Sequence, residues 1–116
     1  MPYKPFEVPE YHEFFDALGV GPEPIEGEDA HVLHFELDSE VMALTFDIPG
    51  RSVNCKWSSG PRVFVDVFRE AAARIRVRSS ATSTVIVVDF ESDDLRGKLE
   101  VQVSPSFALN DQLLFH

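Results

Sequence analysis

The sequence contains 116 residues, of which 44% are hydrophobic and 11% aromatic, so it can bury an apolar core without disulfides or metals. Its formal net charge of −10 argues against binding to nucleic acid or to an anionic membrane, and no apolar run approaches the roughly 20 residues of a membrane-spanning helix. The first residues have neither the basic region nor the apolar core of a signal peptide, and the single cysteine, Cys55, excludes an internal disulfide. We therefore expect one cytoplasmic domain over residues 1–116 that needs no cofactor.

The acidic residues are concentrated in the first half of the chain. Residues 1–50 contain twelve acidic residues and one basic residue, Lys4, which gives a net charge of −11. Residues 51–116 contain nine basic and eight acidic residues. This asymmetry predicts either one acidic face on the folded domain or ordinary solubilising charge scattered over the surface. An acidic face would suit a basic protein partner.

The N-terminal region predicts an arm and one helix. Residues 1–9 contain prolines among aromatic residues and predict an irregular arm. Residues 10–18 place apolar side chains at the i, i+3, i+4 and i+7 spacing of one helix face, and Gly19 is suited to end the helix. Three acidic residues recur at every third position of this helix and form the first candidate binding group: Glu10, Glu13 and Asp16.

A linker and a series of strands follow the helix. Residues 19–28 are rich in Gly, Pro and Glu and predict a linker. Alternating patterns then predict a hairpin over 31–38 and 41–48, a third strand over 53–57 and a fourth over 62–68. The end of the linker and the residue after it hold a second acidic group: Glu26, Glu28 and Asp29.

Residues 66–77 fit both a helical and a strand pattern. We expect a strand, one helical turn at 70–73 and a further strand at 74–79, because arginine alternates with apolar residues in the last part. The alternation predicts a basic row on one strand face, which would pair across strands with acidic residues such as Glu36 or Glu91. The three residues of this row are Arg74, Arg76 and Arg78.

The rest of the chain predicts further strands. Residues 85–90 are apolar on both strand faces, which is typical of a strand in the middle of a sheet. Residues 91–97 predict an acidic loop, residues 98–103 another strand, and residues 107–115 either an edge strand or a short turn of helix. The whole pattern predicts an α+β fold, with the N-terminal helix packed on a mostly antiparallel sheet of about six strands within residues 29–115.

The sequence contains no recognisable catalytic or metal-binding motif. It has no glycine-rich phosphate loop, no G-x-S-x-G elbow and no H-E-x-x-H helix. His31 and His34 are three residues apart on a predicted strand, so they point to opposite faces. Asp93 and Asp94 are a candidate acid–base pair, but their position in a loop better suits a role in fixing the turn. The sequence therefore favours a non-enzymatic protein, with no catalytic residue and no metal site assigned.

Trp57, the single tryptophan, stands at the end of the third predicted strand, beside a turn. An exposed indole at this position would anchor a partner, whereas a buried one would belong to the core. The sequence leaves both alternatives open.

Five segments carry a resemblance to a known class of proteins. They are the run VMALTFDIPG at 41–50, the strand that ends at Trp57, VFVDVF and ARIRV within 63–77, and GKLEVQV at 97–103. Their order resembles that of the small α+β immunity proteins of bacterial polymorphic toxin systems. The resemblance implies a non-enzymatic inhibitor that binds a secreted toxin and blocks its active site, with the acidic face against a basic toxin surface.

On this interpretation the partner is a basic protein, and the acidic groups and the tryptophan are the candidate binding residues. They are Glu10, Glu13, Asp16, Glu26, Glu28, Asp29, Trp57, Asp93 and Asp94. Two alternatives remain. One is a small ligand-binding domain or enzyme with a pocket between the helix and the sheet, and the other is a structural homodimer joined through an exposed strand edge.

Overall fold

The computed structural model describes the backbone of residues 5–115 and the side chains of residues 5–112. These residues form one α-helix and nine β-strands, which are arranged in two antiparallel sheets. In chain order the elements are α1 (Tyr11–Leu18), β1 (Glu23–Pro24), β2 (Ala30–Leu37), β3 (Glu40–Asp47), β4 (Ser52–Ser59), β5 (Arg62–Glu70), β6 (Ala72–Ser79), β7 (Thr84–Glu91), β8 (Leu95–Ser104) and β9 (Ala108–Phe115).

Each strand pairs with the next one along the chain, except where the chain leaves one sheet for the other. The first sheet has the order β1-β2-β3-β4-β5 and the second the order β6-β7-β8-β9. The change of sheet occurs at Ala71, whose φ of 65° bends the chain between β5 and β6. Two backbone hydrogen bonds of 3.0 Å hold the bend: the Ala72 N–H donates to the Arg51 carbonyl, and the Glu91 N–H donates to the Ala71 carbonyl. The bend is therefore tied to the turn before β4 in the first sheet and to the end of β7 in the second.

The predicted α+β fold, a helix on a sheet of about six strands, is wrong. The fold is mostly β, with sheets of five and four strands and a helix of only eight residues. The predicted helical turn at 70–73 is also wrong, because β5 continues to Glu70 and β6 begins at Ala72. Alternation of side chains identifies strands, but it carries no information about where the chain passes from one sheet to another.

An apolar core connects the two sheets. It includes Leu44 and Cys55 from the first sheet and Ile86 and Leu99 from the second, all fully buried. Burial raises the pKa of the Cys55 thiol to about 12, and the negative charge of Asp66 adds to the shift. The thiol is therefore protonated at neutral pH and acts as a small apolar side chain.

The helix packs against both sheets, whereas the arm before it pairs with the second sheet. Phe14 of α1 is buried and stacks on Phe46 of β3, with ring centroids 5.8 Å apart. In the arm, the Glu7 N–H donates to the Ala73 carbonyl and the Glu7 carbonyl accepts from the Ile75 N–H, both at 2.9 Å. The arm thus extends the edge of β6, while the helix covers part of the first sheet.

Several predicted elements are confirmed. The hairpin β2–β3 has the expected strands, and β7 lies inside its sheet between β6 and β8. Gly19 ends α1 with a φ of 76°, and its N–H donates to the Phe15 carbonyl at 2.9 Å. The C-terminal stretch is the edge strand β9 rather than a turn of helix. Within residues 5–115, no helix is long and apolar enough to cross a membrane.

Candidate partner-binding surface

One face of the second sheet carries the predicted row of arginines. Arg76 donates two hydrogen bonds to Asp89, at 2.9 and 3.2 Å, and Arg74 donates to the same carboxylate at 3.4 Å. Arg78 donates to Glu100 at 2.7 Å. Cross-strand pairing is therefore confirmed, but the acids that pair with the three arginines are Asp89 and Glu100, which the sequence analysis did not name.

These ion pairs also cover an apolar side chain. Val87 is in register with Arg76 on one side and with Glu100 on the other, and no part of it is exposed. The hydrogen bond from Arg76 lowers the pKa of Asp89, and the hydrogen bond from Arg78 lowers the pKa of Glu100. Long arginine side chains commonly shield apolar groups in this way while their charged ends remain in water. The basic row is thus part of the fold rather than a free cationic surface.

The acids of the first half of the chain differ from Asp89 and Glu100 in their ion pairing. In the part of the chain that the structure describes, none of the acids between residues 5 and 50 forms an ion pair with Lys or Arg. Two of them contact a histidine: a Glu10 carboxylate oxygen lies 3.5 Å from His12 Nδ1, and a Glu36 oxygen lies 4.0 Å from His34 Nε2. Within residues 5–112, Lys and Arg side chains therefore do not neutralise these acids, which lie in α1, β1, β2, β3 and the segments next to them. We call these acids the acidic region: Glu7, Glu10, Glu13, Asp16, Glu23, Glu26, Glu28, Asp29, Glu36, Asp38, Glu40 and Asp47.

The acidic binding residues predicted from sequence form three separate exposed groups. Two groups belong to the acidic region, one on α1 and one in the turn between β1 and β2. Asp93 and Asp94 lie instead in the turn between β7 and β8, which belongs to the second sheet. No hydrogen bond or ion pair between described residues connects one group with another. The first two groups are Glu10, Glu13 and Asp16, and Glu26, Glu28 and Asp29.

Trp57 is half-buried, and its contacts are with the protein itself. Its Nε1–H donates to a Glu40 carboxylate oxygen at 2.7 Å. Its ring meets Phe64 and Phe107 in edge-on contacts, with centroids 5.5 and 6.5 Å away. Because Phe107 lies between β8 and β9, Trp57 links the two sheets. These contacts favour the structural alternative for Trp57 over that of an anchor for a partner.

The sequence did not indicate the exposed apolar side chains of β5. Val63, Phe64 and Phe68 lie on β5, an edge strand of the first sheet, and are 52%, 43% and 55% exposed. The run VFVDVF is apolar on both faces, but its position at an edge is a tertiary property. Asp66, in the middle of this strand, is exposed and accepts a hydrogen bond from the Asn54 side chain at 3.1 Å. A charge at this position disfavours pairing of the edge with a second copy of the chain.

A cleft lies between α1, β1 and the first sheet, where the sequence left open a pocket. Its volume is about 340 Å³. The ring of His31 stacks on Phe46, with centroids 5.7 Å apart and planes inclined by 17°. His31 Nδ1 is buried and has no hydrogen-bond partner among residues 5–112. The lining consists of Val8, Pro9, Tyr11, Phe14, Pro22, Pro24, His31, Phe46 and Ile48.

One group of side chains has the donor atoms that a metal ion requires. The donor atoms of Glu10, His12 and Glu13 lie within 4.8 Å of one another at the start of α1. All three side chains are exposed, and neighbouring positions on a helical turn bring such groups together without an ion. The closeness of these donor atoms is therefore explained by their helical spacing, and Glu10 and Glu13 are treated as part of the acidic region.

The fold is similar to that of a chain from a toxin–immunity pair. No family model and no curated protein sequence matches this chain. A solved structure does match: a chain of the contact-dependent growth inhibition toxin–immunity protein complex from Klebsiella pneumoniae 342, with a TM-score of 0.81 and 10% sequence identity. The match covers 93% of this chain and 96% of that chain. The two chains share one fold. The resemblance seen in the strand order is thereby confirmed at the level of the fold.

The fold shared with the toxin–immunity complex does not identify a binding surface, because at 10% identity few side chains are the same. The surface has to be inferred from the charges and cavities of this chain. Two features stand out: the acidic region, whose charge is uncompensated, and the apolar cleft beside α1.

Proposed function

We propose that this chain is an immunity protein, a non-enzymatic inhibitor that binds a toxin through its acidic region. The observation that carries the proposal is the fold match over 93% of the chain to a chain of a toxin–immunity complex. The order of the strand segments in the sequence resembles that of the same class of proteins.

Of the two kinds of protein in that complex, the inhibitor fits this chain better. A toxin needs reactive groups, whereas an inhibitor needs a surface complementary to its target. The single cysteine is buried and protonated, which makes it unsuitable as a nucleophile. The main electrostatic feature is instead an extended negative region without basic partners, which is a property of a binding surface.

The charge of the acidic region favours a basic partner. Opposite charges steer two proteins together and increase the association rate, most strongly at low ionic strength. The outer face of the second sheet is a poorer candidate surface, because its arginines are already paired with Asp89 and Glu100. We therefore assign the toxin-facing side to α1 and the strands β1 to β3.

This proposal can be tested by affinity capture of the partner, followed by a growth test. The chain is immobilised and exposed to a lysate of its source organism at low and at high salt, and retained proteins are identified by mass spectrometry. We expect a basic protein that is retained at low salt and released at high salt. That protein is then produced in a host that lacks both genes, with and without this chain.

The growth test decides between inhibition and mere binding. We expect the captured protein to stop growth when it is produced alone, and growth to be restored when this chain is produced with it. If the captured protein is harmless, or if this chain itself stops growth, the proposed function is wrong.

A further inference from the structure

The exposed large apolar side chains fall into two groups. Three of those among residues 5–112 lie on β5, whereas Tyr11 and Phe15 lie on α1 and Ile48 follows β3. Tyr11 and Ile48 line the same cleft, so the second group continues from the helix towards the first sheet. Exposed apolar groups of this kind mark possible contact sites for a partner, and the two groups differ in what surrounds them.

The exposed side chains of β5 are partly occupied by contacts within the chain. The Phe64 ring meets the Trp57 ring edge-on, and the Arg62 guanidinium lies 5.4 Å from the centre of the Phe64 ring. β5 also contains charges of both signs, two arginines and two acids. The charges of β5 therefore do not favour a partner of either sign.

The two aromatic side chains of α1 lack such contacts. Tyr11 and Phe15 are 61% and 53% exposed, and neither ring contacts another ring or a cation among the described residues. They are four residues apart, so they are neighbours on one side of the helix. Phe14, which is buried and stacks on Phe46, holds the helix from its inner side. The helix therefore presents two neighbouring aromatic side chains to solvent.

The Tyr11 ring is supported on one side by the backbone of Gly21. A Cβ atom added to Gly21 would lie 2.5 Å from the Cε2 and Cζ atoms of the ring, so the contact requires a glycine. The exposed ring is thus restrained in the free protein. Tyrosine offers a large contact area with few rotatable bonds, and a restrained side chain loses little further freedom on binding. Tyr11 therefore has the properties of an interface anchor.

The charge around these two rings is negative. Glu13 and Asp16 belong to α1 and Glu10 precedes it, all three are exposed, and none pairs with Lys or Arg among the described residues. A helix of eight residues is about 12 Å long, so these acids and the two rings lie within about two Debye lengths of one another. No Lys or Arg occurs between residues 5 and 50. A basic surface is therefore attracted to the part of α1 that exposes the rings.

We propose that Tyr11 and Phe15 are apolar anchors of the toxin interface, and that the toxin meets them with an apolar patch bordered by Lys and Arg. The inference rests on the proposed function for the identity of the partner. Aromatic side chains are enriched in the central part of protein interfaces, and the unpaired acids of α1 favour a basic border. A second copy of this chain would bring two sets of unpaired acids together, so charge repulsion disfavours it as the partner at this surface.

The surface can be tested without the toxin, by selection from a phage-displayed library of random peptides on the immobilised chain. We expect the selected peptides to combine Lys or Arg with aromatic or aliphatic residues. Their binding, measured by fluorescence anisotropy, should be about tenfold weaker with Phe15→Ala. The matched control is Phe68→Ala, which removes an equally exposed ring from β5 and should leave binding unchanged. Amide NMR spectra show whether each variant keeps the fold.

A third variant tests the position of Tyr11 without removing a ring. The φ of Gly21 lies outside the left-handed region, so Gly21→Ala fits the backbone, but its Cβ atom would displace the Tyr11 ring. We expect the selected peptides to bind about threefold more weakly, because the ring is no longer restrained in place. Unchanged binding would contradict the role of Tyr11 as an anchor that is held in position before binding.

The protein captured from the lysate allows a kinetic test of the same residues. In surface plasmon resonance, Phe15→Ala should increase the dissociation rate about tenfold and leave the association rate nearly unchanged, because the ring acts only after contact. Glu13→Gln should instead lower the association rate, by about twofold at low salt, because it weakens electrostatic steering. Equal dissociation rates for Phe15→Ala and the unmodified chain would contradict the proposed anchors.

Several outcomes of the selection would overturn the inference. They are the absence of enriched peptides, enrichment of peptides without basic residues, and equal binding to Phe15→Ala and the unmodified chain. A dimer in light scattering that Phe15→Ala abolishes would show that a second copy occupies the surface and would overturn it too. Because the library contains no toxin, these results do not depend on the growth test. A harmless captured protein refutes the proposed function alone, whereas peptide binding that ignores Phe15 refutes the anchors alone.

Discussion

Two surfaces of the molecule are rich in charge: the outer face of the second sheet, and the acidic region of α1 and β1 to β3. Their charges differ in how they are paired. On the second sheet, Arg74, Arg76 and Arg78 are all paired with Asp89 or Glu100. In the acidic region no acid has a Lys or Arg partner among the described residues. Charge that is paired within the chain stabilises the fold, whereas unpaired charge of one sign repels itself and remains available to a partner.

The two halves of the sequence also differ in composition, in agreement with these different roles of their charges. In the nearly balanced second half, Arg74, Arg76 and Arg78 meet acids of neighbouring strands, and Arg76 and Glu100 lie on either side of Val87. The first half has almost no bases, so its acids cannot be neutralised locally. If the comparison is right, mutations in the first region should change binding, and mutations in the second should change stability.

Charge reversal on the helix should have the largest effect. The triple substitution Glu10→Lys, Glu13→Lys and Asp16→Lys should weaken binding of the captured partner about 100-fold at low salt, because electrostatic steering and attraction are lost. The salt dependence of the dissociation constant should become flatter, as measured by surface plasmon resonance at several ionic strengths. The double substitution Asp93→Lys and Asp94→Lys, in a turn of the other sheet, is the control. Equal losses in both proteins would contradict the assignment of binding to the acidic region.

Loss of an arginine from the basic row should have a smaller effect, on stability alone. Arg76→Met keeps an apolar side chain over Val87 but removes both hydrogen bonds to Asp89. Because the pair is partly exposed, we expect the free energy of unfolding in urea to fall by only about 1 kcal/mol. Arg96→Met, at an exposed position of β8, should change it by less than about 0.5 kcal/mol. Partner affinity should be unchanged in both variants. A loss of affinity with Arg76→Met would contradict a purely structural role for the basic row.

The pH dependence of stability should show the smallest effect. Arginine hydrogen bonds lower the pKa values of Asp89 and Glu100 in the folded state, so their stabilisation is fully present above the ordinary carboxyl pKa of about 4 and is lost as the pH falls through the lowered values. Urea unfolding at a series of pH values should show this decline below about pH 4. Asp89→Asn should make the decline less steep, whereas Asp93→Asn should not. An identical decline in all three proteins would show that these pairs do not contribute.

The sequence alone was sufficient to predict features that depend on residues close together in the chain. The spacing of Tyr11, Phe14 and Leu18, together with Gly19, predicted α1 to within one residue. Alternation predicted the hairpin β2–β3 and the interior strand β7, because a strand that is apolar on both faces has to be covered on both. The strand order also carried the resemblance to immunity proteins that the fold match supports.

Tertiary structure alone decided the features that depend on distant residues. The bend at Ala71 separates two strands with the same kind of pattern into two sheets, and this turned an expected α+β domain into a two-sheet β fold. The edge position of β5 likewise exposes apolar residues that would be buried in a central strand. Such properties depend on which strands become neighbours, which side-chain periodicity does not encode.

The candidate binding surface also has some properties that the sequence determines and others that only the folded structure determines. Composition by itself determined that the first half of the chain is acidic, and therefore that any surface built from it attracts cations. Only the folded structure decided that these acids have no Lys or Arg partner among the described residues and that Arg74, Arg76 and Arg78 do have acidic partners. It also brings Val8 and Ile48, which are far apart in sequence, into the lining of one cleft. The physical reason is that total charge is a sum over the sequence, whereas pairing and enclosure depend on distances that exist only after folding.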